Sequence, residues 1–165
     1  MSRGAKNLLF VSRRNSLRSV LAQAYVLHIG GDRFAAESCG QPGEVSDAFH
    51  PAAVAALRLA RVPIPTSPPR SWAELLRKGT PRLDIVVTLD ERTISSQPSW
   101  PGQPITALWS FEDAATASDS ARTTEAAIQT LFALQRRLEL MMSLPFHGTD
   151  STAIRSDLRD LGRMS

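Results

Sequence analysis

The chain has a single cysteine, Cys39, in 165 residues. One thiol cannot close an internal disulfide, which excludes a stapled secreted scaffold and a cysteine-built zinc site. Histidine is almost as scarce: His28, His50 and His147 stand far apart, and no two share the i, i+4 spacing of helical metal ligands. No metal and no cofactor is expected. No apolar run approaches the ~18 residues that cross a bilayer. The basic start MSRGAKNLLFVSRR is apolar only over residues 8–11, too short for a signal-peptide core, so a cytoplasmic protein without a membrane span is expected. Charge of one sign is also lacking: 19 basic and 16 acidic residues leave a net +3, which permits an anionic partner without requiring one. Aromatic residues are not interleaved with the basic ones, so nucleic-acid binding is not expected.

What is present suits one domain. An apolar fraction of 42% and a charged fraction of 21% are ordinary for a globular chain, and the length fits a single core over 1–165. Residues 7–11 form a buried strand pattern, followed by a helix over 16–27 with Leu17, Leu21 and Ala24 on one face. A second strand near 34–38 ends in the turn sequence CGQPG. His50 and Pro51 open a helix that runs to Arg61, and VPIPTSPP stops it. A short helix over 72–78 precedes a third strand at 84–88, and a fourth strand lies around 106–108. Residues 121–143 are the longest helical pattern, with Ile128, Leu131, Leu134, Leu138 and Met141 as core positions. A C-terminal helical extension at about 150–162 carries Ile154, Leu158 and Leu161 and stops at Gly162. Alternating strands and helices predict an α/β fold with a four-stranded parallel sheet and helices on both faces. Ligands in such folds bind beyond the carboxyl ends of the strands, where the segment after Val11 falls.

That segment, VSRRNSLRS, runs from a strand through a tight polar loop into a helix. Such a turn gathers backbone N–H groups around one point, the helix dipole adds partial positive charge, and Arg18 can clamp a phosphate-like anion with two bonds. The residues resemble the V-C-x-x-N-x-x-R-S loop of the low-molecular-weight protein tyrosine phosphatases and of the thioredoxin-coupled arsenate reductases on the same fold. Resemblance continues in VVTLD, in WPGQPITALWSFEDAA, in FHPAAVAALRLARVPI, in RSWAELL and in DSTAIRSDLRDLG, so it covers nearly the whole sequence.

The resemblance implies a role for each matching position. Ser12 occupies the nucleophile position, Arg18 holds the equatorial oxygens of a tetrahedral anion, and Ser19 donates a hydrogen bond toward the nucleophile. Asn15 locks the loop, and Asp113 is the acid that protonates a leaving group. Residues Arg13, Arg14, Asn15, Ser16, Leu17 and Arg18 form the anion-binding loop. The implied partner is phosphate, arsenate or a similar oxyanion, free or on a phosphorylated protein.

The sequence departs from the family pattern where the chemistry is done. A helix N-terminus and a nearby arginine can pull a cysteine pKa well below 7, but a serine hydroxyl gains no comparable ionisation and needs a base. Asp90 and Gln97 stand roughly where reductase relatives carry their resolving cysteines, so the redox relay is missing. Arg14 replaces a loop glycine, and with Arg13 and Arg18 it is expected to deepen a positive field. Ala114 replaces a proline after the acid. Tyr25, the only tyrosine, sits on the first helix, not at a cleft, which argues against phosphotyrosine specificity. Cys39 reads as a buried apolar residue, not a substitute nucleophile.

Three readings follow. The first is an oxyanion-binding relative that is catalytically impaired because of Ser12. A second is an active cysteine-dependent phosphatase whose natural residue 12 has been replaced by serine in this chain. The third is an interaction protein that ignores the loop and recruits a partner through Arg155, Arg159 and Arg163.

Overall fold

The computed structural model describes residues 5–77, 79, 81–114, 119–146 and 151–164. His147 and the expected helix ends at 78 and 150 lie outside the described residues. The elements run β1 (Lys6–Val11), α1 (Arg18–Ile29), β2 (Phe34–Cys39), α2 (Pro51–Leu59), α3 (Trp72–Arg77), β3 (Ile85–Thr88), β4 (Ile105–Leu108), α4 (Ser120–Met142) and α5 (Ser151–Leu161). The strands form one parallel sheet in the order β2-β1-β3-β4. Each lies within about two residues of its sequence expectation, because apolar runs and turn residues mark both ends.

The central strands β1 and β3 are buried on both faces, as continuous apolar runs such as LLFV and IVV require. Their alternating side chains feed two unequal cores. Leu8, Phe10, Ile85 and Val87 meet α1, α2, α4 and α5 on one face. On the other, Leu9, Val11, Cys39 and Val86 meet Trp72 and Leu75 of α3, together with Leu83 and Trp100. Trp72 and Trp100 pack edge to face there at 6.2 Å.

Local chemistry fixes the helix starts. His50 Nδ1 accepts from the Ala52 amide at the start of α2, and Pro51 takes the first helical position, where no amide is needed. Asp119 accepts from the Arg122 amide at 2.8 Å to start α4. Helix α5 is pinned to the sheet by Trp109, whose Nε1 donates to Leu158 O at 2.9 Å. Gly162, expected as a helix stop, has a further reason to be glycine: an added Cβ would lie 2.4 Å from Leu108 O. The close approach of α5 to β4 depends on its missing side chain.

This topology places the site. From β1 the chain crosses to β2 on one side of it, while β3 and β4 lie on the other, so the strand order reverses between β1 and β3. The loops leaving those neighbouring strands face each other at their carboxyl ends, and the Leu89 amide donates to Val11 O at 2.8 Å.

Candidate active site

The loop from Ser12 to Leu17 is fastened from outside. Its carbonyls at Arg13, Arg14 and Ser16 accept from the amides of Gln41, Ser46 and His50 at 2.9, 3.0 and 2.9 Å. Gly40 lies so close beneath that an added Cβ would sit 2.8 Å from Arg13 O, which explains the glycine in the CGQPG turn. Asn15 adopts φ 50°, a left-handed conformation that asparagine tolerates.

With the carbonyls taken, the amides are left over. Among the described residues, no backbone N–H from Arg13 to Val20 donates to an acceptor within the chain. Helix α1 begins there without a capping side chain and without an acid in its first turn. Residues 15–20 are nevertheless buried, from Asn15 at 1% exposure to Ser19 and Val20 at 0%. Unpaired amides out of water cost free energy unless something accepts from them.

A neutral polar network forms the floor. Ser12, 2% exposed, donates from Oγ to Ser19 Oγ at 2.7 Å. Asn15 Nδ2 donates to Ser19 Oγ and to Ser38 Oγ, both at 2.9 Å, while its Oδ1 accepts from the Arg70 amide at 3.0 Å. Ser38 Oγ passes the chain on to Gln23 Oε1 at 2.6 Å. The structure brings Ser12 and Ser19 together, with Ser12 as the donor where the expectation had Ser19 donating, and Asn15 bonds to Ser19 of α1, Ser38 of β2 and the Arg70 amide. Ser38 and Gln23 were not anticipated; the signal was a serine at a buried position of β2, next to the buried Cys39.

Arg18 behaves differently from its expectation. One guanidinium nitrogen donates to Asp90 Oδ2 at 2.9 Å and lies 3.6 Å from Asp113 Oδ2, and the other donates to Phe111 O at 3.0 Å. Arg18 and Asp90 are both buried, so this is a desolvated ion pair that bridges the loops after β1, β3 and β4. A cavity of about 460 Å³ opens beside it, lined by Arg18, Arg92 and Ser110 and by the carboxylates of Asp90, Glu91, Glu112 and Asp113. Arg13 and Arg14 do not line it, so its mouth carries more acidic than basic groups. The expected deepening of positive charge by three arginines is absent there, because Arg18 is already neutralised and Arg14 points into solvent.

The remaining candidates are not assembled for redox work. Gln97 Nε2 donates to Thr88 Oγ1 at 2.9 Å and to Thr93 Oγ1 at 3.2 Å. Cys39 is fully buried, and burial pushes its thiol pKa up, with Glu37 adding and Arg70 opposing. Its carbonyl accepts from the Ser12 amide at 3.2 Å. Ala114 is buried, and Tyr25 lies away from the loop, donating to Glu139 Oε1 at 2.6 Å. Among the described residues, no group of three His, Cys, Asp or Glu could hold a metal, and no helix is long and apolar enough to cross a membrane.

The low molecular weight phosphotyrosine protein phosphatase family model matches residues 7–142, stopping short of α5. The glutaredoxin arsenate reductase of Synechocystis is 30% identical over 110 residues, covering 66% of this chain and 78% of that protein. The thioredoxin-dependent arsenate reductase of Corynebacterium glutamicum superposes with a TM-score of 0.58 at 20% identity over 85% of this chain. This chain spans only 65% of that reductase's length. An arsenate reductase in its phosphate binding state superposes with a TM-score of 0.67 at 24% identity, over 84% of this chain and 97% of that one. A family match over most of the chain, joined to the loop between β1 and α1, establishes that this protein belongs to the low molecular weight phosphotyrosine protein phosphatase family.

Proposed function

We propose that this chain binds a tetrahedral oxyanion, phosphate or arsenate, on residues 12–19, and that Ser12 stands at the family's nucleophile position without performing its chemistry. The run of amides from Arg13 to Val20, in residues that are buried from Asn15 on, finds no acceptor among the described residues, and this carries the reading. Those donors at a helix N-terminus match what an anion with several acceptor oxygens supplies. A solved arsenate reductase of the same fold is described in a phosphate binding state, which fits the reading.

The chemistry of turnover is where the chain falls short. A thiolate at position 12 would be stabilised by those same amides and the helix dipole. A serine hydroxyl, with a pKa far above that of a thiol, stays protonated, and the one side chain it bonds is the neutral Ser19. Among the described residues, no carboxylate or imidazole is bonded to it as a base. Asp113, 3.6 Å from Arg18, would protonate a leaving oxygen, a role that is idle without a nucleophile at position 12 to displace that oxygen. Arsenate reduction would need a thiol pair, and Cys39 is the chain's only thiol. An incoming anion shares Arg18 with Asp90, so Asp90 acts as an internal competitor whose carboxylate lowers the affinity for small anions.

The direct test is a phosphate titration followed by amide NMR shifts. The resonances of residues 13–20 should move together and saturate with one dissociation constant, while those of β4 and α5 stay in place. Saturating shifts elsewhere, or none at the loop, would overturn the reading.

A further inference from the structure

Helix α5 lies outside the matched family span and builds, with β4, a second groove that meets the cavity beside Arg18 only at Ser110. Its volume is about 580 Å³, and it is lined by Arg155 and Arg159 of α5, by Arg163 in the turn after it, and by Thr106, Leu108 and Ser110 from β4 and the turn that follows. The spacing i, i+4 puts Arg155 and Arg159 along one stripe of the helix, and Arg163 follows in the turn after its end. All three are exposed, and none forms an ion pair among the described residues, although Asp157 and Asp160 lie on the same helix.

The strand side of the groove carries backbone groups of its own. Ile105 donates to Asp84 O and Trp109 to Thr88 O, so the odd-numbered residues of β4 bond to β3. In a parallel ladder the intervening residues then turn their amides and carbonyls outward. Gly162 closes over Leu108 O, whereas Thr106 is exposed, so the edge is covered at one end and open at the other. An open edge beside a row of unpaired cations is complementary to an extended chain bearing carboxylates. From Arg155 to Arg159 the helix rises roughly 6 Å, the length of about two residues of extended chain.

We propose that the α5–β4 groove is a docking site for a short acidic peptide segment, which pairs its backbone with Thr106 and its carboxylates with Arg155, Arg159 and Arg163. No aromatic ring lines the groove, so it lacks the stacking surface that single-stranded nucleic acid uses.

The probe is a dye-labelled hexaglutamate peptide, followed by fluorescence anisotropy at low and moderate salt with the full chain. Saturable binding is expected, falling at least tenfold in the double variant Arg155→Glu/Arg159→Glu. Thr106→Pro removes only an outward-facing amide, and should weaken binding about fivefold while the circular dichroism spectrum and melting temperature stay unchanged. Undiminished binding in either variant would overturn the proposal: the first result removes the arginines from it and the second removes the strand edge. Binding of an oligothymidylate of the same length as tightly as hexaglutamate would also overturn it, in favour of an unselective polyanion surface. None of these variants touches residues 12–19, so the phosphate-dependent amide shifts at the loop stand or fall separately.

Discussion

At the carboxyl end of β1, Asn15, Ser19, Ser38 and Gln23 hand hydrogen bonds to one another, whereas along β4 the guanidinium groups of Arg155, Arg159 and Arg163 meet no acid among the described residues. The first region is buried and neutral, and it is shaped before any ligand arrives. Its selectivity comes from where amides point. The second is solvated and charged, and its attraction for a partner is long-ranged but weakened by salt. On the functions proposed above, the loop would recognise the geometry of a small anion and the groove the sign of a chain. The two differ equally in what they contribute to stability.

Asn15→Ala should break this contrast most visibly. It removes three hydrogen bonds, two of them buried, at about 1 kcal/mol each, and leaves a residue that disfavours φ 50°. A loss of about 3 kcal/mol in urea denaturation is expected, against at most about 0.5 kcal/mol for Arg155→Ala on the exposed stripe. Equal losses would mean that the loop is no better built than the groove.

Asp90→Asn sharpens the comparison inside the loop region, where one charged pair stands beside the neutral network. Calorimetry should show phosphate binding tightened about tenfold, or 1.4 kcal/mol, because Arg18 no longer shares its charge with a buried carboxylate. An unchanged affinity would show that Asp90 does not compete with the ligand.

The smallest effect concerns Tyr25, which extends the paired interior to the α1–α4 contact. Burial, with a further contribution from the bond to Glu139, pushes its pKa up to about 12 from the usual 10. Because the folded value is the higher one, the stability this group contributes is complete below pH 10 and is lost as pH rises through 12. As the only tyrosine, it can be followed by its absorbance as tyrosinate, and Glu139→Gln should move the midpoint down toward 10.

Much of the fold was legible because apolar runs and turn residues are local. LLFV, IVVT and the heptad-like spacing of Leu131, Leu134, Leu138 and Met141 mark their elements without tertiary information, and Gly162 and Pro51 mark helix ends. The lopsided cores were not legible, since nothing in LLFV says which face receives four helices. Within the site, Asn15, Ser12 and Ser19 were readable because the loop is contiguous. The pairing of Arg18 with Asp90 joins residues 72 apart through a strand crossover, and no periodicity reports such a contact. The three loop arginines looked additive in sequence, yet in space Arg18 is neutralised and Arg14 faces water.

The most direct measurement pairs phosphate affinity by calorimetry with hydrolysis of a generic aryl phosphate, for this chain and for Ser12→Cys. Both forms should bind phosphate with similar affinity, and only the cysteine form should turn over, because the loop amides and Asp113 await a thiolate. Turnover by the serine form, or failure of both forms to bind, would contradict an anion cradle that lacks only its nucleophile.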